Sequence, residues 1–181
     1  MIPLKSAITK KILNYFFVNP QESLYVNELS RKLALDKRNL VKKVKELELE
    51  GILTHETRGN LKLYSINTRY PLYQEFRKII MATVGVEEQI RSLLNGIDGI
   101  KEAYIYGSYA KNAMDTHSDI DVLIVGSVGV VAVQKRISKL QRDIDREISV
   151  TVMTQVDFNR RIKAKDPFIS GMLKQKYIKV I

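Results

Sequence analysis

The sequence predicts an α+β protein built in two parts, and three observations carry that expectation. Residues 1–70 show three helical periodicities and then a switch to period two. Residues 71–95 carry one more apolar helical pattern, which ends at Gly96 and Gly99. Beyond it, two apolar strands flank a Gly107-Ser108 turn and an Asp119-x-Asp121 pair.

Taken in order, Ala7, Ile8, Ile12, Leu13, Tyr15 and Phe16 recur at helical spacing, and Asn19-Pro20 stops that helix. A second helix runs from residue 26 to about residue 34, with Leu29 and Leu33 four apart. The third follows Asp36, a suitable N-cap, and ends at Glu50 before Gly51. Its apolar stripe is Leu40, Val44 and Leu47, while Lys37, Arg38, Lys42, Lys43 and Lys45 fill much of the remainder. Residues 52–56 and 61–66 read as strands of a hairpin containing His55, joined at Gly59-Asn60, where both residues tolerate positive φ. Between 71 and 94, Leu72, Phe76, Ile79, Ile80, Val84, Ile90 and Leu93 form a long helical pattern that Gly85 can divide. This segment reads either as a connector or as a homodimer contact.

Residues 100–106 form a strand that runs straight into Gly107-Ser108-Tyr109-Ala110-Lys111, the expected start of a helix. A polar connection containing His117, expected as a loop residue, leads to a strand over 118–126. A helix over 130–145 turns Val133, Ile137 and Leu140 inward, and residues 147–153 make the next strand. A helix over 156–163 is interrupted at Asp166-Pro167, and residues 177–181 read as a last strand.

Composition narrows the function. Thirty Lys and Arg against twenty Asp and Glu give +10 and a pI near 9.7, a surplus that suits a polyanionic partner. Residues 1–70 hold thirteen basic and seven acidic residues, so the shorter part is the more basic per residue. The absence of cysteine excludes disulfides, thiolate zinc sites and cysteine nucleophiles, and two histidines exclude a histidine-rich metal centre. The longest uncharged stretch is 13 residues, 122–134. A membrane span needs about 20. No apolar signal region opens the chain, so a soluble cytoplasmic protein is expected.

Three helices followed by a hairpin resemble the winged helix-turn-helix family of transcription regulators over residues 1–70. The resemblance implies a double-stranded DNA partner. Lys37, Arg38, Asn39, Lys42 and Lys43 lie on the helix that would enter the major groove, and Arg58 and Lys62 on the hairpin that would serve as the wing.

The chemistry concentrates in the second part. Strand alternation puts Asp119 and Asp121 on one face, with about 6–7 Å between their backbones. Paired carboxylates suit Mg²⁺, a hard ion that keeps water and phosphate oxygens in its shell. Gly107 lets the backbone approach a triphosphate, Ser108 offers a hydroxyl and an amide, and Lys111 adds a point charge. Gly107-Ser108, ten residues and then Asp119-x-Asp121 resemble the nucleotidyltransferase superfamily typified by DNA polymerase beta. The stretch GSYAKNAMDTHSDID is most similar to the minimal nucleotidyltransferases of bacteria and archaea.

That resemblance implies a nucleotidyltransferase fold over 96–181, with a central mixed sheet and flanking helices. It implies two Mg²⁺ ions, a nucleoside triphosphate such as ATP, and transfer of a nucleoside monophosphate to an acceptor. Ser118 joins Gly107, Ser108 and Lys111 in the implied nucleotide-binding set. Asn112 stands where the family has glycine, and Asn is the next most tolerant of a left-handed conformation. The family's third carboxylate lies on a later strand. Here Ser149 takes that register, and Glu147, two residues earlier on the same face, is the acid able to replace it as catalytic residue and metal ligand. Two alternatives stand beside transfer: a transcription regulator whose second domain senses nucleotide without reacting, and an antitoxin-like partner of a small helical toxin.

Overall fold

The computed structural model describes residues 6–115 and 118–181, so His117 lies outside the described residues. The chain forms two compact units, Met1–Val86 with Asp143–Asp145, and Glu87–Arg142 with Arg146–Ile181.

In the first unit, α1 (Ala7–Val18) starts at Ser6, whose hydroxyl accepts the Thr9 N–H, and ends at Asn19. A two-residue strand, β1 (Leu24–Tyr25), leads into α2 (Val26–Leu33). The carboxylate of Asp36 accepts the Asn39 N–H at 3.0 Å and so opens α3 (Lys37–Leu49). β2 (Leu53–Arg58) and β3 (Leu61–Ile66) pair antiparallel around Gly59, which adopts φ +59°. The other edge of β3 takes β1, giving the order β1-β3-β2. Against α1 pack α3 and α4 (Tyr73–Thr83), where Phe17 meets Phe76 edge-on at 5.9 Å. Ile12, Phe16, Leu29, Leu40, Val44 and Ile80 are fully buried, each contributing roughly 1.5–3 kcal/mol by leaving water.

The helical pattern over 71–94 divides at Gly85, where a Cβ would lie 2.5 Å from the Cα of Met81. α5 (Val86–Asn95) follows. The second unit then builds β4 (Ile100–Tyr106), the single turn α6 (Gly107–Ala110), β5 (Ile120–Gly126), α7 (Val130–Ile144), β6 (Ile148–Met153), α8 (Gln155–Lys163), α9 (Pro167–Lys174) and β7 (Ile178–Lys179). The sheet order is β6-β5-β4-β7, with β5 and β6 parallel and the other two pairings antiparallel. The architecture is therefore α+β with a mixed sheet. Tyr104, Leu123, Val125 and Met153 form one core cluster on this sheet with Phe158 of α8 and Ile169 and Met172 of α9.

Two expectations need correction. The helix after Gly107 is one turn long, because Asn112 enters the left-handed region at φ +58° and ends it. Asp166-Pro167 starts a helix instead of only breaking one. The Asp166 carboxylate accepts the Ile169 N–H at 3.1 Å, and Pro167 occupies the first helical position, where no N–H is required. Among the described residues, no helix is long and apolar enough to cross a membrane.

Candidate active site

Antiparallel pairing sets Tyr106 opposite Asp121, and parallel pairing sets Ser149 on the other side of Asp121. These three residues share one face of the sheet, and Asp119, two residues before Asp121, belongs to the same face. The carboxylates thus lie where β4 ends and β5 begins.

Gly107 leaves β4 with φ +72°, and a Cβ there would fall 2.2 Å from Asp121 Oδ2. The backbone of the Gly-Ser turn therefore touches the carboxylate, an approach only glycine permits. Ser108 is half-buried, and its carbonyl accepts the Ala113 N–H at 2.9 Å. Exposed Lys111 caps the turn and makes no ion pair among the described residues. Asn112 fills the position held by glycine in the resembling family and takes the left-handed conformation that position asks for.

Burial first, and the Asp119 carboxylate second, raise the pKa of Asp121 above its ordinary value. Tyr106 is also shifted upward, by burial and by Asp121, against an opposing hydrogen bond with Thr151. A divalent cation beside Asp119 and Asp121 would offset both the like-charge repulsion and the desolvation. The all-oxygen donor set fits Mg²⁺, which commonly binds through one or two carboxylates and leaves room for water and phosphate.

Glu147 is not gathered into this pair. Among the described residues, no group of three or more His, Cys, Asp or Glu side chains is placed to hold a metal ion. Ser149 takes the place beside Asp121, and the Glu147 carbonyl accepts the Ile120 N–H at 2.9 Å, so Glu147 sits just ahead of β6 with its side chain exposed.

Sequence reasoning missed Arg146. Its buried guanidinium donates from Nη1 to the carbonyls of Asp115 at 2.8 Å and Ser118 at 3.2 Å. The Ser118 hydroxyl donates to Asp115 Oδ1 at 2.9 Å and accepts the Asp115 N–H at 3.0 Å, so it is turned toward its own loop. Arg146 and Ser118 together position the chain that enters Asp119. In the sequence, Arg146 is only one basic residue between two acids, with nothing to mark it as buried.

In the first unit, Lys37, Arg38, Asn39 and Lys42 are exposed on α3. Lys45 is exposed as well, whereas three others have carboxylate partners: Lys43 with Glu46 at 2.6 Å, Lys62 with Glu48 at 3.1 Å, and Arg58 with Glu56 at 3.4 Å. His55 also contacts Glu48.

The sequence matches the family described as polymerase beta, nucleotidyltransferase, over residues 88–179. It matches no curated protein. Among solved structures, a chain from a toxin–antitoxin crystal structure with AMP-PNP is 18% identical, with a TM-score of 0.38 over 53% of this chain and 73% of that one. A chain from a mutant of the toxin–antitoxin MntA-HpeT is 15% identical, with a TM-score of 0.39 over 52% of this chain and 72% of that one. A Sulfolobus solfataricus chain described as a nucleotidyltransferase is 24% identical, with a TM-score of 0.29 over 41% and 68%.

Proposed function

The chain belongs to the polymerase beta nucleotidyltransferase family, and on that premise we propose that its second unit transfers a nucleoside monophosphate from a triphosphate to an acceptor. The observation that carries this reading is the contact geometry of Gly107 and Asp121, beside Asp119 on one sheet face. It brings a phosphate-approachable backbone turn against a carboxylate pair.

Asp119 and Asp121 would hold Mg²⁺, which when bound supplies the positive charge needed for displacement at phosphorus. Gly107 and Ser108 receive the triphosphate, and Lys111 lends it charge. The acceptor oxygen bonds to the α-phosphorus as the bond to pyrophosphate breaks. Glu147, exposed just ahead of β6 and outside the Asp119–Asp121 pair, would take the proton of an acceptor that reaches it. Arg146 and Ser118 act by positioning, through the loop that leads to Asp119.

Incubation with α-labelled ATP, Mg²⁺ and a cell extract tests the reading. A labelled protein, RNA or small molecule identifies the acceptor, and a small helical toxin is the protein acceptor that the motif resemblance brings forward. Glu147→Gln should slow labelling strongly, while Ser149→Ala leaves it unchanged. An inert natural protein that becomes active on Ser149→Asp would replace this reading with nucleotide sensing.

The first unit is assigned to double-stranded DNA as a winged helix. In support, α3 presents Lys37, Arg38, Asn39 and Lys42 to solvent, and the β2–β3 hairpin carries Arg58 and Lys62. The cations would meet phosphates, and Asn39 is the side chain suited to an adenine edge. Salt-dependent gel shifts with the whole chain test it, and binding that ignores salt would refute it.

A further inference from the structure

A pocket of roughly 240 Å³ opens beside Gly107, walled by the end of β4 and by α9. We infer that it receives the base of the nucleoside triphosphate, a reading that rests on the nucleotide site proposed above. Gly107 joins the two places, since the residue that lines the pocket is also the one whose Cα lies against the Asp121 carboxylate. A nucleotide with its phosphates at that carboxylate has its nucleoside only a few bonds away.

The lining suits a flat, polar-edged ring. Phe168 is 38% exposed and is held edge-on to Tyr106 at 5.6 Å, so an aromatic surface is fixed in place and still open to a ligand. Three residues along α9, Gly171 contributes no side chain, and a Cβ there would meet nothing within 4 Å. That gap leaves space over the helix. Gln175, exposed at the end of α9, carries both an amide donor and an amide acceptor, the pair that a base edge matches. Exposed Lys176 makes no ion pair among the described residues and is available to an anionic ligand. The volume also argues for one ring system, since it lies below the about 300–1,000 Å³ of pockets for drug-sized molecules. Base stacking on an aromatic face tolerates different bases, so Gln175 is the residue that sets preference.

The test compares two Mg²⁺-loaded ligands by calorimetry: a non-hydrolysable ATP analogue, and inorganic tripolyphosphate, which has no base. Gly171→Leu fills the pocket from a position with open space, and Gly171→Ala leaves it open. The leucine variant should bind the analogue about tenfold or more weakly, with tripolyphosphate affinity unchanged. The alanine variant should match the natural protein on both. Equal loss on both ligands, or no loss on the analogue, overturns the pocket's assignment. Gln175→Ala, at an exposed position, gives a second reading that does not depend on the leucine variant folding. It should reduce discrimination between ATP and the other triphosphate analogues, and unaltered discrimination counts against the assignment. Asp121→Asn separates the two levels, because it should weaken both ligands. Binding of both that survives this change overturns the nucleotide site itself. Binding that Asp121→Asn removes but Gly171→Leu spares overturns only the base pocket.

Discussion

Gly107→Ala is the substitution that most sharply links backbone geometry to function. The new methyl meets two obstacles. At φ +72° a residue with a Cβ loses about 1–2 kcal/mol relative to glycine. The Cβ would also lie 2.2 Å from Asp121 Oδ2 and 3.2 Å from its Cγ. Those atoms belong to the end of a rotatable side chain, so the carboxylate swings away and the backbone stays. Stability should therefore fall by little more than the conformational cost, a drop in Tm of about 2–8 °C for a chain of this size. Metal-dependent nucleotide affinity should fall further, by about tenfold or more, because the carboxylate has left its place beside Asp119. Gly126→Ala is the comparison. Its Cβ would lie 2.1 Å from the Gly99 carbonyl oxygen, a backbone atom that cannot rotate aside. That variant should lose more stability while leaving the carboxylate pair alone. Denaturation and calorimetry on both variants give the answer. Natural affinity for the Mg²⁺-loaded triphosphate in a destabilised Gly107→Ala protein would refute the reasoning.

Three further outcomes are expected. Lys42→Ala should weaken DNA binding across sequences and reduce the slope of log affinity against log salt by about 0.9. Lys43→Ala should change both less, since Glu46 already pairs with Lys43 at 2.6 Å. Arg146→Ala leaves the Asp115 and Ser118 carbonyls without their donor and should destabilise the second unit by about 1.5–3 kcal/mol per lost charged bond at most. Arg146→Lys should restore only part, lacking the forked guanidinium, and full nucleotide affinity in Arg146→Ala would remove its positioning role. Hydrogen bonds from the Tyr104 hydroxyl, and then from Lys179 Nζ at 2.9 Å, hold Glu102 below the usual carboxylate range. Because the folded-state pKa is the lower one, this stabilisation is present above the unfolded value of about 4.3 and fades as pH falls through the folded value. Glu102→Gln should lose under about 1 kcal/mol at pH 7, given solvent screening, and show a shallower loss on acidification in denaturation curves.

Much of this arrangement was legible in the sequence because it rests on short-range rules. Asp36 caps α3 through its own side chain, and Asn112 adopts the left-handed conformation its chemistry tolerates. Asp119 and Asp121 share a face because strand alternation requires it. What escaped depends on pairing over distance. β1 is two residues long, too short to show a period, and exists only because β3 offers an edge opposite Leu24 and Tyr25. Arg146 is identified by two carbonyls about thirty residues away in the chain. The register of β6 was open because one strand cannot reveal its alignment against another, and the pairing of β5 with β6 sets Ser149 beside Asp121. Asp166-Pro167 reads equally well as a stop or a start, and the helix it starts is held where Ile169 and Met172 pack with Phe158 on the sheet.

The central claim is that Asp119 and Asp121 bind a metal-loaded triphosphate against the Gly107 turn. The most direct measurement is a calorimetric titration of the whole chain with a non-hydrolysable ATP analogue, with and without Mg²⁺, in the natural protein and in the Asp119→Asn, Asp121→Asn double variant. Binding should require Mg²⁺ and disappear in the double variant. Stability of that variant should be equal or higher, because burial and like charge already raise the pKa of Asp121. Equal affinity without Mg²⁺, or equal affinity in the folded double variant, would contradict the account.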